Sequence, residues 1–418
     1  MEKAYSKINE TVNSFVCDSG LPVYVIPKKG FDKTYAMFAA NFGSVDCHFS
    51  ADGNDIKIPN GVAHFLEHKM FEQPDGKDAF AVFSKYGAQA NAFTSFDMTA
   101  YLFSTSNNFD NCLEHLLSFV STPHFTNENV AKEQGIIAQE IKMYDDEPSW
   151  TVFFNMLRAL YENHPINIDI AGSVQSISQI TPEILYKCYN AYYNPENMLL
   201  CVVGNVNPDD VFVIAQRVIS RSDYSAGKTI MPTEKETVNK TYIEKKMAVS
   251  LPMFTVGFKE KPVEDKLYYD AVYSVLLNAA FGKSTPFYSE VYNKGLITSL
   301  SSSYNYGKEY AFIEITGESP NPKELYEKIL KYTKEIKNRG LDKNLVEISK
   351  KSLYGKYIKG LNSLDGIAHG FVSSSFLGED YFTYGDKLLS VTKEAVDEVL
   401  KSGFNESTLS AVFGGNEK

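Results

Sequence analysis

The chain has 418 residues, of which 44% are hydrophobic and 22% charged, the composition of a globular protein with two or three domains. Its 41 basic and 52 acidic side chains give a net charge of −11, which disfavours nucleic acid as a partner because that binding depends on neutralising phosphates. No run of 18 apolar residues is present, and the first residues lack an apolar core. Membrane insertion and secretion through a signal peptide are therefore not expected.

The cysteine pattern indicates a reducing compartment. The five cysteines are widely spaced and form no Cys-x-x-Cys pair; they are Cys17, Cys47, Cys112, Cys188 and Cys201. This pattern indicates neither a disulfide framework nor a cysteine zinc site. We therefore expect a cytoplasmic protein whose cysteines are small core residues.

Apolar periodicity and turn-forming residues predict the elements of the first half of the chain. In chain order they are a hairpin in 15–27, a strand at 34–47, a loop at 51–60, helices at 61–71 and 78–86, two strands within 87–103, helices at 107–122, 126–145, 149–162 and 181–193, and a strand at 198–203. Residues 221–240 lose this periodicity and are rich in Ser, Gly, Pro, Lys and Glu, which predicts an interdomain linker.

The second half has a similar mixture of strands and helices. In order we predict a strand at 247–258, helices from 265 to 281, strands at 299–306 and 311–316, helices at 322–338, 341–358 and 392–401, and a strand at 407–413.

A five-residue segment on the predicted helix 61–71 carries the strongest chemical signal. Its sequence is His64-Phe65-Leu66-Glu67-His68, and helical spacing places the two imidazoles and the carboxylate on one face. Two histidines one turn apart can hold one Zn²⁺, while the carboxylate between them is free to take a proton from water. This H-x-x-E-H arrangement is that of the inverted zinc peptidases.

A structural zinc site is the alternative interpretation of this segment. Such a site would be a closed set of four protein ligands, often rich in cysteine, and it would leave Glu67 without a role. A match to the pentapeptide arises by chance in roughly one such chain in a hundred. A third ligand is therefore needed to support a catalytic site.

A catalytic zinc site has three protein ligands and leaves the fourth position open to water. The predicted helix 126–145 offers two candidates, because Glu133 and Glu140 are two turns apart and share a face. The remaining histidines do not pair at ligand spacing; they are His48, His115, His124, His164 and His369.

The segment 87–103 is predicted to form two strands joined near residues 95–97. Small residues at Ala88, Ala90 and Ala92 leave room for another backbone, which suits a sheet edge that an extended peptide can join as an added strand. An ordinary hairpin in the domain's sheet fits these residue types equally well.

The order of elements repeats after about half of the chain. A helix opening at Thr181 and a strand ending at Gly204 are echoed by a helix opening at Thr392 and a strand ending at Gly414, which are offsets of 211 and 210 residues. This predicts an α+β fold of two homologous α/β-sandwich domains, each with a mixed, mainly antiparallel sheet and helices. We place a metal-binding domain at 1–220, the linker at 221–240 and a domain without metal ligands at 241–418.

The same offset puts residues that do not form a zinc site opposite the motif. Val275, Asn278 and Ala279 lie opposite His64, Glu67 and His68, and Lys351 lies opposite Glu140. A scaffolding role would be needed in both halves. The absence of these His and Glu residues from the second half therefore favours a chemical role for them in the first half.

Together these residues resemble the M16 family of zinc peptidases, which includes pitrilysin, insulin-degrading enzyme and mitochondrial processing peptidase. The resemblance rests on the H-x-x-E-H segment, on Glu133 and Glu140, and on Asn91-Ala92-Phe93-Thr94, and it extends over nearly the whole chain. Glu140 follows His68 by 72 residues, inside the gap usual in the family. Within the family the chain is most similar to the subunit-sized bacterial members of the YmfH-like branch.

The resemblance implies a role for each of these residues. His64, His68 and Glu140 would bind Zn²⁺, Glu67 would be the general base, and Glu133 would support the site through a ligand. Asn91 and Ala92 would bind the substrate backbone. The expected activity is that of a metalloendopeptidase acting on peptides or short unfolded polypeptides inside a chamber. The chamber would be enclosed by an M16-type clamshell, and this chain would form one half of it.

One feature departs from the family pattern. Many members carry an Arg-Tyr pair that binds substrate in the second half, but Tyr292 and Thr298 stand at those positions here. Either Tyr304 or Tyr306 substitutes for the pair, or a partner subunit supplies it. The resemblance favours a heterodimer with a metal-less homologue, with a homodimer as the alternative. A catalytically weak or inactive peptide-binding or assembly subunit is the competing function, motivated by the missing pair.

Overall fold

The computed structural model describes residues 1–74, 76 and 78–415. The strands in this part of the chain are β1 (Glu2–Tyr5), β2 (Glu10–Val16), β3 (Pro22–Pro27), β4 (Thr34–Ala40), β5 (His48–Ala51), β6 (Asn54–Lys57), β7 (Gln89–Thr94), β8 (Thr99–Thr105), β9 (Met198–Gly204), β10 (Lys228–Thr229), β11 (Tyr242–Met247), β12 (Met253–Glu260), β13 (Ser299–Tyr306), β14 (Ala311–Glu318) and β15 (Glu406–Gly414).

The helices in the same part of the chain are α1 (Val62–Met70), α2 (Ala79–Lys85), α3 (Phe109–Val120), α4 (Asn127–Asp145), α5 (Pro148–Leu160), α6 (Val174–Ile177), α7 (Pro182–Tyr192), α8 (Pro208–Val218), α9 (Lys266–Phe281), α10 (Pro286–Asn293), α11 (Pro322–Arg339), α12 (Lys343–Gly360), α13 (Leu364–Phe376), α14 (Tyr384–Ser390) and α15 (Lys393–Ser402). None of these helices combines the length and apolar character needed to span a bilayer.

The chain forms two compact units, and each unit takes a segment from the other half of the sequence. The first unit contains Met1–Ile141, Asp169–Ile230 and Lys359–Phe382. The second contains Lys142–Ile168, Met231–Ile358 and the chain from Thr383 onward. Helix α5 therefore belongs to the second unit and α13 to the first. The division of the sequence at 220 and 241 stays a prediction.

The first unit is built on a seven-stranded sheet in the order β1-β2-β3-β9-β4-β8-β7. The pair β3 and β9 is parallel, and the other neighbours are antiparallel. Strand β4 is buried along its whole length, which explains its apolar sequence, because a central strand is covered on both faces. Strand β7 lies at one edge of this sheet.

The second unit is built on a five-stranded sheet in the order β11-β15-β12-β14-β13. Here β11 and β15 are parallel and the other neighbours are antiparallel. This is the order and polarity of β3-β9-β4-β8-β7 in the first sheet, with β13 at the edge that β7 occupies. The predicted fold class of two related α/β units with mixed, mainly antiparallel sheets is confirmed.

Three predicted segments differ from the structure. The strand predicted at 34–47 ends at Ala40, in β4. Residues 51–60, predicted as a loop, contain the end of a hairpin, β5 and β6, which joins β10 in a small sheet. Asp52 and Gly53 both have positive φ, 48° and 76°, and an Asp-Gly pair of this kind is a strong hairpin signal. The segment 247–258, predicted as one strand, contains the end of β11 and most of β12, because Pro252 between them lacks an N–H for a sheet ladder.

The predicted linker makes specific contacts in each unit. In the first unit, the Thr229 hydroxyl donates to Asp46 at 2.5 Å. In the second unit, Glu234 accepts hydrogen bonds from the backbone N–H groups of 162–164 and from the Lys259 ammonium. Burial by itself would raise the pKa of Glu234, but these donors bring it down to about 2. Loss of periodicity in this segment therefore does not mean loss of contact.

The start of α1 requires a glycine. Gly61 has φ of 90°, and a Cβ there would lie 2.4 Å from the carbonyl oxygen of Ala171. We expect Gly61→Ala to lower the free energy of unfolding by about 1–3 kcal/mol, because the substitution combines left-handed strain with a backbone clash. Chemical denaturation measures this change.

Gly135 on α4 supplies the matched control for this prediction. A Cβ there would meet nothing within 4 Å, and glycine is unfavourable inside a helix. Gly135→Ala should therefore raise the free energy of unfolding by about 0.5–1 kcal/mol. Equal effects of the two substitutions would contradict the conformational argument.

Candidate metal centre

The predicted motif lies on α1, which is almost entirely buried. Val62, Phe65, Leu66 and Met70 pack into the core of the first unit, as the helical periodicity predicts. The motif's polar face is also largely covered, since His64 is 9% exposed and Glu67 is 8% exposed.

Three predicted ligands converge from two helices. The ligand atoms of His64, His68 and Glu140 all lie within 4.8 Å of one another. Glu140 Oε1 is 3.7 Å from His64 Nε2, and Glu140 Oε2 is 3.5 Å from His68 Nε2. Two atoms bound to one tetrahedral Zn²⁺ at about 2.0–2.1 Å would be separated by about 3.3 Å. The spacing therefore fits atoms that share a cation, and two imidazoles with one carboxylate are a donor set that zinc accepts.

Glu133 holds the outer side of His68. Its Oε1 is 3.1 Å from His68 Nδ1, which leaves Nε2 of the same ring directed to the ligand group. Burial by itself would raise the pKa of Glu133, but the hydrogen bond with His68 and the charge of Lys69 bring the pKa below its usual value. Glu133, which the family resemblance implies as a support of the site, makes this specific contact with His68.

Lys69 is a further charged residue of the site, and it was not among the residues expected from the sequence. Its side chain is fully buried, and its Nζ lies 2.5 Å from Glu72 Oε2 and 3.6 Å from Glu133 Oε2. A buried ammonium requires anionic partners. The signal in the sequence is a lysine on the apolar helix 61–71, next to the second histidine.

The two imidazoles have different electrostatic surroundings. Burial and the neighbouring His68 lower the pKa of His64 to about 4, which keeps that ring neutral, as a metal ligand must be. Burial also acts to lower the pKa of His68, but the bond to Glu133 and the charges of Glu67 and Glu140 outweigh it and raise the pKa. Within the described residues, the buried Nδ1 of His64 has no hydrogen-bond partner.

Glu67 stands beside the ligand group without belonging to it. Its Oε2 accepts a hydrogen bond from the Thr94 hydroxyl at 2.6 Å, while Oε1 makes no hydrogen bond to any described residue. Burial raises the pKa of Glu67 above its usual value. Thr94 belongs to the segment Asn91-Ala92-Phe93-Thr94 that carries the family resemblance, but its contact with Glu67 cannot be read from the sequence.

Asn91 and Ala92 lie on β7, the edge strand that also carries Thr94. The Asn91 side chain is exposed, and its Oδ1 accepts from the N–H of Ala92 at 2.9 Å. Within the described residues β7 has a neighbouring strand, β8, on one side only. The hairpin and the edge position, which were alternatives for this segment, therefore occur together. The role of Asn91 and Ala92 in binding substrate stays a prediction.

Tyr304 and Tyr306 lie on β13, the edge strand of the second unit. The Tyr304 ring is buried and stacks on Tyr273, with centroids 4.0 Å apart. It also contacts Tyr306, at 5.5 Å between centroids. Burial raises the pKa of Tyr304 well above its usual value. Their predicted role as substrate-binding replacements for the missing Arg-Tyr pair stays a prediction.

The equivalent helix of the second unit lacks the ligand set. Helix α9 carries Val275, Asn278 and Ala279 at the positions that the sequence offset pairs with the motif. Val275 and Ala279 are fully buried apolar residues. Among the described residues, the group of His64, His68 and Glu140 is the one that could hold a metal ion.

We expect Glu133→Gln to weaken Zn²⁺ binding by about 10- to 100-fold, because His68 loses a charged hydrogen-bond acceptor that orients its ring. Competition against a chromophoric chelator measures the affinity. Glu128→Gln, an exposed position on the same helix, is the matched control. An unchanged affinity in the Glu133 variant would show that His68 does not depend on it.

The fold and the site together define a class, that of an α+β protein with an inverted histidine and glutamate metal motif. Comparison with known proteins agrees. Residues 54–174 match the model of Insulinase (Peptidase family M16), and residues 179–353 match that of the Peptidase M16 inactive domain. The chain belongs to the M16 peptidase family.

Individual relatives extend this match to nearly the full chain. The chain is 40% identical to the uncharacterized zinc protease YmfH of Bacillus subtilis over 95% of each protein. A structure described as an M16-like peptidase from Alicyclobacillus acidocaldarius has 33% identity and a TM-score of 0.93, with 97% of this chain and 99% of that chain covered. The expected resemblance is confirmed.

A longer protein shares the fold. The periplasmic protease PqqL of Escherichia coli aligns with a TM-score of 0.75 and 17% identity, over 96% of this chain and 47% of that chain. One PqqL chain is therefore about twice the length of this one.

Proposed function

We propose that this protein is a zinc-dependent metalloendopeptidase that hydrolyses peptides or short unfolded polypeptides. The observation that carries the proposal is the convergence of His64, His68 and Glu140, with Glu67 beside them and outside the ligand set. Homologues described as zinc proteases support it. A closed structural site would require a fourth protein ligand, and the described residues offer three.

The protein residues divide the chemistry between them. His64, His68 and Glu140 would hold Zn²⁺, which when bound acidifies water toward a pKa of about 7 and polarises a peptide carbonyl. Glu67 accepts the proton of the attacking water and returns it to the departing amine. Thr94 occupies Oε2 of Glu67, which orients the carboxylate and leaves Oε1 for the proton transfer. Glu133 holds His68 in place.

The substrate is proposed to bind as an added strand on β7. The outer edge of this strand is open in the described part of the chain, and extended peptides bind such edges through backbone hydrogen bonds. Because Thr94 is on the same strand, a peptide added at Asn91 and Ala92 would lie next to Glu67. This mode favours substrates without stable structure, since a folded segment cannot offer a free strand.

A partner subunit is part of the proposal. One PqqL chain is about twice as long as this protein. A chain of half that length would need a second chain to form an assembly of the size of one PqqL chain. The missing Arg-Tyr pair favours a heterodimer with a metal-less homologue, and a homodimer is the alternative. Mass spectrometry of the native complex identifies the partner. We also propose a cytoplasmic location, from the cysteine pattern.

Metal removal tests the proposal directly. A chelator should abolish cleavage of a short unstructured peptide by the native complex, and one equivalent of Zn²⁺ should restore it, because general-base catalysis by Glu67 requires an acidified water. Cleavage is followed by mass spectrometry of the products. Full activity in the metal-free protein would reject the proposal.

An assembly or peptide-binding subunit is the second candidate, and the absence of the Arg-Tyr pair favours it. Such a protein would bind peptide without cleaving it. Metal analysis separates the two candidates, because a protein that does not retain stoichiometric zinc belongs to the second.

A further inference from the structure

A helix from the far end of the chain contacts the strand proposed to bind substrate. Helix α13 belongs to the first unit and packs on β4 and β9. It reaches β7 through His369, whose imidazole stacks on Phe93 with centroids 5.0 Å apart and planes at 21°. Nε2 of the same ring is 3.1 Å from the hydroxyl oxygen of Tyr35 on β4, which sets the orientation of the imidazole.

The segment that carries His369 is fastened to the first unit at both ends. Before α13, the Lys28 ammonium donates to the carbonyl oxygen of Leu361 at 2.7 Å. After α13, Asp380 accepts from the Tyr5 hydroxyl at 2.7 Å and pairs with Lys3 at 2.5 Å. These contacts make the position of His369 a fixed feature of the unit.

Strand β7 is therefore held on both of its faces. Successive side chains of a strand point to opposite faces, so Thr94 reaches Glu67 on the α1 side, and Phe93 meets His369 on the other side. An inner strand is held by ladders on two sides, whereas β7 has one neighbour in the described residues. The stack on Phe93 supplies support that a second ladder would otherwise give.

We infer that His369 is a positioning residue for the peptide substrate, holding β7 through Phe93 where an extended peptide adds to it. The inference rests on the proposed function. Thr94 bonds to Glu67 from the opposite face, so loss of the stack should weaken peptide binding more than proton transfer. Uniform weakening of ground-state and transition-state binding raises KM and leaves kcat unchanged.

Three substitutions in the native complex test this inference. His369→Ala removes the ring, and His369→Phe keeps a ring against Phe93 while losing the bond to Tyr35. Ser373→Ala, one turn further along α13, is the control for changes in the helix. Kinetics on one unstructured peptide give KM and kcat separately.

We expect His369→Ala to raise KM about three- to tenfold, the effect of losing one aromatic stack, with kcat within about twofold of the wild type. His369→Phe should return KM to within about twofold of the wild type, and Ser373→Ala should not change it. The inference is overturned by an unchanged KM in His369→Ala, by a fall in kcat alone, or by His369→Phe behaving like His369→Ala.

Amide hydrogen exchange across 89–94, measured without substrate, gives a readout that does not require activity. Exchange should be faster in His369→Ala than in the wild type and the Ser373 control, and His369→Phe should slow it again. A wild-type protein without peptidase activity would reject the proposed function, whereas equal exchange in all four proteins would reject the positioning role.

Discussion

Glu67→Gln is expected to reduce peptide cleavage by about 10²- to 10⁴-fold, the range typical of a lost general base. The amide has nearly the same shape as the carboxylate and can still bond to Thr94, but it cannot accept a proton from water. The variant should retain stoichiometric zinc, because Glu67 lies outside the ligand group. Single-turnover kinetics and metal analysis on the same preparation measure both quantities.

A control variant and the zinc content together distinguish a loss of proton transfer from a loss of folding or of metal binding. Glu128→Gln removes an exposed carboxylate from α4 and should leave cleavage unchanged. Loss of activity together with loss of zinc in Glu67→Gln would assign the carboxylate to metal binding instead. Full activity in the zinc-loaded variant would remove Glu67 from the mechanism.

Glu140→Gln is expected to lower the affinity for Zn²⁺ by more than about 100-fold, since loss of an outer hydrogen bond to a ligand already costs about 10- to 100-fold. The substitution removes the only anionic ligand of the proposed set while keeping the side chain's size. Equilibrium dialysis against buffered zinc measures the affinity. Retention of stoichiometric zinc at wild-type affinity would remove Glu140 from the ligand set.

Thermal unfolding gives a second readout of the same variant. A ligand that binds only the folded state raises the melting temperature, and the increase grows with the logarithm of the ligand concentration divided by its dissociation constant. Zinc should therefore raise the Tm of the wild type and of Glu128→Gln, and have a much smaller effect on Glu140→Gln. In the presence of a chelator the three proteins should have similar Tm values, because the Glu140 side chain is partly exposed.

Much of the fold could be predicted because its signals are local. The helix at 61–71, the two strands within 87–103 and the repeat of helix and strand near 181–204 and 392–414 follow from periodicity and turn residues. The predicted elements are wrong where one short turn signal decides the structure, as at the Asp52-Gly53 turn. Helix α13, which the sequence analysis did not predict, has a small-residue sequence with little amphipathic pattern.

In the candidate site, positions within one helix could also be predicted, whereas contacts between residues far apart in the sequence could not be predicted from periodicity. Placement of His64, Glu67 and His68 on one helical face needs only the helix period, and the same holds for Glu133 and Glu140. Their approach across two helices was an expectation from residue chemistry and family resemblance. Buried Lys69 was not foreseen, because burial of a charged side chain depends on partners far away in sequence.

By itself, the sequence determined the motif's geometry within each helix, the duplicated order of strands and helices, and the family. The tertiary structure alone decided that Glu140 meets both imidazoles, that Thr94 reaches Glu67, and that α13 lies behind β7. The reason is physical: a helix or strand period governs neighbours within one element. Contacts between elements depend on how the sheet and its covering helices pack, and periodicity does not encode that packing.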